Sequence, residues 1–163
     1  MSDLKFKAGF KNFQKKWHQS FSWDLFLPLA ESDEYNIKLL RIPITESQEE
    51  FDHQVLSLVK TIIDSLNEKE IVKQLKNSGD LKGGISKLER WLLEQGISQF
   101  EPHIKFLRNL QELRSTGTGH RKGKGYDKIK QDFGLAGSNF AEVFDKILFD
   151  ANAFLSFLSE NFL

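Results

Sequence analysis

Apolar residues recur with the period of an α-helix along most of this 163-residue chain. At 100° per residue, the first aromatic stripe falls within an arc of about 80°; it contains Phe6, Phe10, Phe13, Trp17 and Phe21. Later segments carry comparable stripes, such as Phe51, Val55, Leu58, Ile62 and Leu66. Because such stripes are buried by packing helix against helix, the sequence predicts an all-α fold, a helical bundle.

The chain divides into two parts by sequence pattern. Residues 1–46 comprise an amphipathic helix and an irregular arm, and residues 47–163 comprise the helical bundle. The pattern also permits a short extended or strand segment near residues 37–42, closed by Pro43. Thr45 or Ser47 is a candidate N-cap for the long helix that follows, with Gln48 or Glu50 completing a capping box.

Four lysines of the first helix lie off its aromatic stripe: Lys7, Lys11, Lys15 and Lys16. Basic amphipathic helices can bind membranes or RNA, but most of them bury their apolar face in the core of their own domain. We therefore expect a packed aromatic face and a solvated lysine face. A protein that lies on a lipid surface is kept as an alternative.

Composition removes several kinds of chemistry. The chain has no cysteine, which excludes thiolate nucleophiles, disulfides and cysteine-ligated zinc. Its four histidines show no His-x-x-x-His or Glu-x-x-His spacing, so we predict no metal site and no cofactor. It also lacks a long apolar run for a membrane span and an apolar signal-peptide core after Met1, so we expect a cytoplasmic protein.

A glycine-rich basic segment, residues 115–125, follows the helix that ends near Arg114. The chain as a whole has no net charge, yet residues 103–130 hold eight Lys or Arg against two acids. Such local asymmetry indicates an anionic partner. The glycine spacing matches neither a dinucleotide-binding turn nor the phosphate-binding loop of nucleoside triphosphatases. Arg114 falls within the apolar arc of its helix, where a cation has to reach solvent, pair or serve the function.

Arg114 and His120 suit one reaction well, the metal-free cleavage of RNA. The 2′-hydroxyl of the substrate attacks the adjacent phosphate, and a histidine with a near-neutral pKa transfers the proton. A guanidinium binds the phosphate oxygens and stabilises the charge that grows on them. Three further cations of the segment would bind neighbouring phosphates: Arg121, Lys122 and Lys124. A solvated basic loop without catalysis is the alternative that the residues alone leave open.

The segment from Phe106 to Ser115, continued by His120 to Gly123, resembles the HEPN superfamily. Members of that superfamily are helical bundles whose hallmark is an arginine, four to six residues and a histidine at a helix end. The resemblance covers about residues 47–163. It implies a metal-independent endoribonuclease of a bacterial defence or toxin–antitoxin system, with Arg114 and His120 as catalytic residues and Ser115 orienting the site.

The resemblance also implies partners. HEPN active sites form where two protomers meet, so we expect a homodimer that acts on RNA, with a cognate antitoxin or a defence-complex subunit as a further partner. A second apolar stripe on the last helix (Phe149, Ala153 and Phe157) is either a core face or the dimer interface. A non-catalytic helical module that binds RNA or protein is the alternative function.

Overall fold

The computed structural model describes residues 1–31, 34–117, 127–128, 131–133 and 139–163, with the side chains of 115–117 excepted. Its elements are helical throughout, which confirms the all-α prediction. In chain order the helices are α1 (Ser2–Phe21), α2 (Glu34–Lys38), α3 (Gln48–Val59), α4 (Glu68–Gln74), α5 (Gly84–Glu94), α6 (Glu101–Gly117) and α7 (Phe140–Phe162). A π-helical turn, Lys60–Asp64, continues directly from α3.

Helices α1 and α7 form the main packing layer of the bundle. The aromatic face of α1 is buried as expected, at Phe6, Phe10, Phe13 and Trp17. The Trp17 ring meets Phe162 of α7 at 5.5 Å between centroids and Trp91 of α5 at 5.9 Å. Burial of these large rings provides much of the hydrophobic stabilisation of a chain of this size.

The irregular arm after α1 is tied to the end of the π-helical turn by backbone hydrogen bonds. Phe26 pairs with Leu66 in an isolated antiparallel bridge, and Leu27 N donates to the Ser65 carbonyl at 2.6 Å. Phe26 is fully buried and lies 5.4 Å from the ring of Phe10. One hydrophobic core therefore contains residues from both sequence parts, 1–46 and 47–163.

The segment near residues 37–42, which the pattern permitted as extended or strand, forms no strand. Ile37 and Lys38 lie in α2, Leu39 is in a turn, and residues 40–43 have no regular structure. Ile37 packs against the core from α2, and Leu40 is fully buried beyond it. The apolar pattern of this segment therefore reflects one helical turn and an irregular stretch that share a buried side.

Helix ends largely follow the sequence signals. Ser47 is the N-cap of α3 and accepts a hydrogen bond from Glu50 N at 3.3 Å. Gly96 takes φ = 73° after α5, a left-handed conformation that a glycine adopts without a Cβ clash. The final helix α7 is capped by Asn139, whose side chain accepts from Glu142 N at 2.9 Å.

Candidate functional site

Arg114 and Asp64 form an ion pair at the end of α6. Nη1 of Arg114 donates to Oδ2 of Asp64 at 2.7 Å. The Arg114 side chain is 25% exposed and that of Asp64 is 44% exposed, so the pair lies at the edge of the bundle and is in contact with solvent. Nη2 and Nε of Arg114 make no hydrogen bond to any described residue.

The π-helical turn places Asp64 opposite Arg114. The turn follows α3 without a break, and its Thr61 hydroxyl donates to the Ser57 carbonyl at 2.8 Å. Ser65 donates in the same way to the Thr61 carbonyl. Two buried hydroxyls thus donate to backbone carbonyls at and just before the π-helical turn, where the regular α-helical hydrogen bonds are interrupted. Short π-helical segments of this kind are frequent at functional sites.

A small cleft of about 290 Å³ borders Asp64. It is lined by residues 27–30 of the arm and by Lys60, Asp64 and Ser65. Asp64 therefore borders the cleft and also pairs with the Arg114 guanidinium.

The other residues of the predicted site lie beyond what can be described. Ser115 belongs to the last turn of α6 by its backbone, and its side chain is not described. His120, Arg121, Lys122 and Lys124 lie outside the described residues. Arg114 is thus the single predicted site residue whose side chain has a described environment, and the Arg114–His120 pair stays a prediction.

Sequence reasoning missed Asp64. The position of Arg114 in the apolar arc of α6 predicted that this cation reaches solvent, pairs or serves the function, and the structure shows it both paired and 25% exposed. The sequence did not identify the partner, because Asp64 is 50 positions away in the chain. Asp64 is one of 23 acidic residues, and its pairing depends on how the π-helical turn packs against α6.

Two ionisable groups elsewhere have shifted pKa values. Backbone N–H donation from Thr45, with further hydrogen bonds and the charge of Arg41, lowers the pKa of Glu50 from 4.5 to about 2. Burial lowers the pKa of His103, and the charge of Asp150 partly opposes this shift. The His103 ring stacks on Phe157 at 4.4 Å between centroids. Both groups make structural contacts: Glu50 binds the loop before α3, and His103 stacks on an aromatic ring.

The residues of the second apolar stripe of α7 differ in how far they are exposed. Phe149 is 62% exposed, and Nζ of Lys146 lies 4.9 Å from its ring centroid. Phe157 is buried at 9% exposure against His103. Phe157 therefore belongs to the core of this chain, and Phe149 is the member of the stripe left uncovered among the described residues.

In the described residues, neither a metal-binding cluster nor a membrane-spanning helix is present. No group of three or more His, Asp or Glu side chains there is arranged to hold a metal ion. Within those residues, no helix combines the length and apolar character needed to cross a bilayer.

Comparison with known proteins gives no relative. A scan against protein-family models, a search of curated proteins and a search of solved structures each find no match to this chain. The candidate site is therefore interpreted from its own geometry and from the sequence motif.

Proposed function

We propose that this chain is a metal-independent endoribonuclease of the HEPN type, acting in the cytoplasm as part of a bacterial defence or toxin–antitoxin system. The observation that carries the proposal is the state of Arg114. Its guanidinium is held by Asp64 near the end of α6, it is partly exposed, and its Nη2 and Nε bond to no residue that the structure describes. It lies six positions before His120.

In the proposed reaction the 2′-hydroxyl of the RNA attacks the neighbouring phosphorus, and the 5′-oxygen of the next nucleotide leaves. His120 takes the proton of the 2′-hydroxyl or delivers one to the leaving oxygen. The free donors of Arg114 bind the non-bridging oxygens, where charge increases in the transition state. Ser115 orients the site, and Arg121, Lys122 and Lys124 bind adjacent phosphates.

Asp64 fits this mechanism as a residue that positions Arg114. A carboxylate bonded to one terminal nitrogen fixes the plane of the guanidinium and leaves its other edge open. Holding the donors in place before the substrate arrives reduces the entropy lost on binding the phosphate. The same carboxylate lowers the local positive charge, which favours release of the anionic product.

The proposed enzyme is a homodimer. Phe149 supports this part of the proposal, because a large ring that is 62% exposed on a central helix is a site where a second copy would bury apolar area. An antitoxin or a further subunit of a defence complex is the proposed regulator.

The deciding experiment is an RNA-cleavage assay in excess EDTA with purified protein. The expected result is cleavage of single-stranded RNA to products with a 2′,3′-cyclic phosphate or its hydrolysis product. Cleavage of DNA, or a strict requirement for a divalent ion, would contradict the mechanism.

The second candidate function is a non-catalytic helical module that binds RNA or protein. It is favoured by the Asp64–Arg114 pair itself, since an arginine neutralised by a carboxylate often has only a structural role. RNA binding without cleavage in the same assay would select this alternative.

A further inference from the structure

The outer faces of α1 and α7 border a groove of about 680 Å³. Ser2 of α1 bonds to Asp145, and Trp17, a later residue, contacts Phe162, so the two helices run parallel. The α1 side of the groove is one stripe of exposed residues with helical spacing: Lys5, Gly9, Asn12, Lys16 and Ser20. The α7 side adds amide and hydroxyl groups from Asn152, Ser156 and Ser159.

The groove carries positive charge at two points. Lys5 and Lys16 are eleven positions apart, which is about 16 Å along a helix. Neither ammonium group forms an ion pair or hydrogen bond with a described residue. No Asp or Glu occurs in residues 5–23, and Glu160 is the one acid that lines the groove. A solvated pair of lysines with few competing carboxylates suits a polyanion.

Gly9 lies between these lysines in the interior of α1. A glycine there destabilises a helix relative to alanine. Packing does not demand it, because a Cβ added at Gly9 meets nothing closer than Asn152 Oδ1 at 4.0 Å. The missing side chain keeps the groove open midway between Lys5 and Lys16. A departure from helix propensity without a packing reason points to a site that something approaches closely.

The surroundings of the groove select among polyanions. A lipid surface would have to receive the apolar face of α1, and that face is buried in the core. An acidic helix would need apolar anchor pockets. Phe13 and Leu155 are 3% and 5% exposed, which leaves Leu163 at one end as the exposed apolar side chain of the groove. Lysines combined with amides and hydroxyls are the groups that contact phosphates and sugars.

We propose that the groove between α1 and α7 binds the sugar–phosphate backbone of single-stranded RNA. The inference rests on the proposed function, because it extends the recognition of the same substrate. The groove shares no residue with the Arg114–Asp64 pair. It is a binding surface, and the chemical step stays with Arg114 and His120.

The test measures binding of a fluorescent 20-nucleotide single-stranded RNA to the full chain by anisotropy across a salt series. Lys5→Ala combined with Lys16→Ala should weaken binding about tenfold or more at low salt. It should also reduce the slope of log affinity against log salt by about 1.4, since each lost contact to a single strand contributes about 0.7. The matched control is Lys69→Ala with Lys82→Ala, which removes the same charge from exposed positions on other segments.

Gly9→Gln tests the groove without a change of charge. Glutamine is a good helix former, so the melting temperature should stay the same or rise, while RNA binding weakens as in the lysine variant. Equal effects of the groove and control lysine pairs, or unaltered binding by Gly9→Gln, would overturn the proposal. Tighter binding to polyglutamate or to phosphatidylserine vesicles than to RNA would overturn it as well.

Cleavage measured on the same variants separates this proposal from the proposed function. If the groove variants cleave and bind RNA as well as the unmodified chain does, the groove proposal is rejected and the nuclease proposal is retained. Groove-dependent RNA binding without cleavage by the wild-type chain would reject the nuclease and retain the groove.

Discussion

Asp64 and Arg114, 50 residues apart in the chain, meet at 2.7 Å where the π-helical turn after α3 faces the end of α6. The pair joins two helices and fixes the one guanidinium that the sequence motif assigns to catalysis. The pair therefore leads to one prediction about stability and, under the proposed function, to one about activity.

The first prediction concerns catalysis. His120→Ala and Arg114→Ala should each reduce RNA cleavage in EDTA by about 10² to 10³, the usual effect of losing a transition-state contact. Both variants should keep the helical circular dichroism of the parent chain, since Arg114 lies at a helix end and is partly exposed. Unchanged cleavage by His120→Ala would remove the assignment of the acid–base residue.

A second prediction concerns the stability of the ion pair. Urea unfolding of Asp64→Ala, Arg114→Ala and the double variant should give a coupling free energy of about 0.5–1 kcal/mol, the upper part of the range for partly exposed pairs. The control is the more exposed pair Glu89–Arg108, separated by 3.0 Å, which should give a smaller value. Coupling at Asp64–Arg114 should decrease in 1 M NaCl. Zero coupling at low salt would show that the pair holds neither residue in place.

Glu50 gives a prediction about pH. Its folded pKa, about 2, lies below its ordinary value of 4.5 because Thr45 N–H and Arg41 bind the charged form. Stability from this carboxylate is therefore present above pH 4.5 and is lost as the pH falls from 4.5 towards 2. In Glu50→Gln the free energy of unfolding should be lower at pH 7 and should fall less steeply over that interval.

The neighbouring Glu49, exposed in the same first turn of α3, provides the control. Glu49→Gln should follow the wild-type curve of unfolding free energy against pH. If the unfolding free energy of Glu50→Gln falls between pH 4.5 and 2 as steeply as that of the wild type, other carboxylates cause the loss of stability.

The last prediction separates the two phenylalanines of α7. Phe157→Glu should destabilise the fold by about 3 kcal/mol or more, because it removes a buried ring and introduces a charge beside His103. Phe149→Glu should change the free energy of unfolding by no more than about 0.5 kcal/mol, as usual for an exposed position. If the proposed dimer forms through this face, Phe149→Glu should yield a folded monomer by light scattering. A Phe149→Glu chain that stays dimeric would place the interface elsewhere.

Helix content and most helix ends were predictable from sequence because their causes are local. The stripes of α1 and α5 lie within single segments, and they are buried as expected at residues such as Trp17 and Trp91. Ser47 and Gly96 mark helix ends through hydrogen bonding and backbone geometry within a few residues. The strand that the pattern permitted near residues 37–42 does not form, and the sequence could not decide this because the periodicity of so short an apolar run does not distinguish helix from strand.

By itself, the sequence determined the helical class and the buried aromatic face of α1, and it indicated that Arg114 must reach solvent, pair or serve the function. Each follows from side-chain period or from the cost of an unpaired buried charge. Only the tertiary structure decided that the partner is Asp64, that Phe157 is internal while Phe149 is not, and that Gly9 opens a groove against α7. These relationships join residues far apart in the chain, and their contacts depend on how whole helices pack.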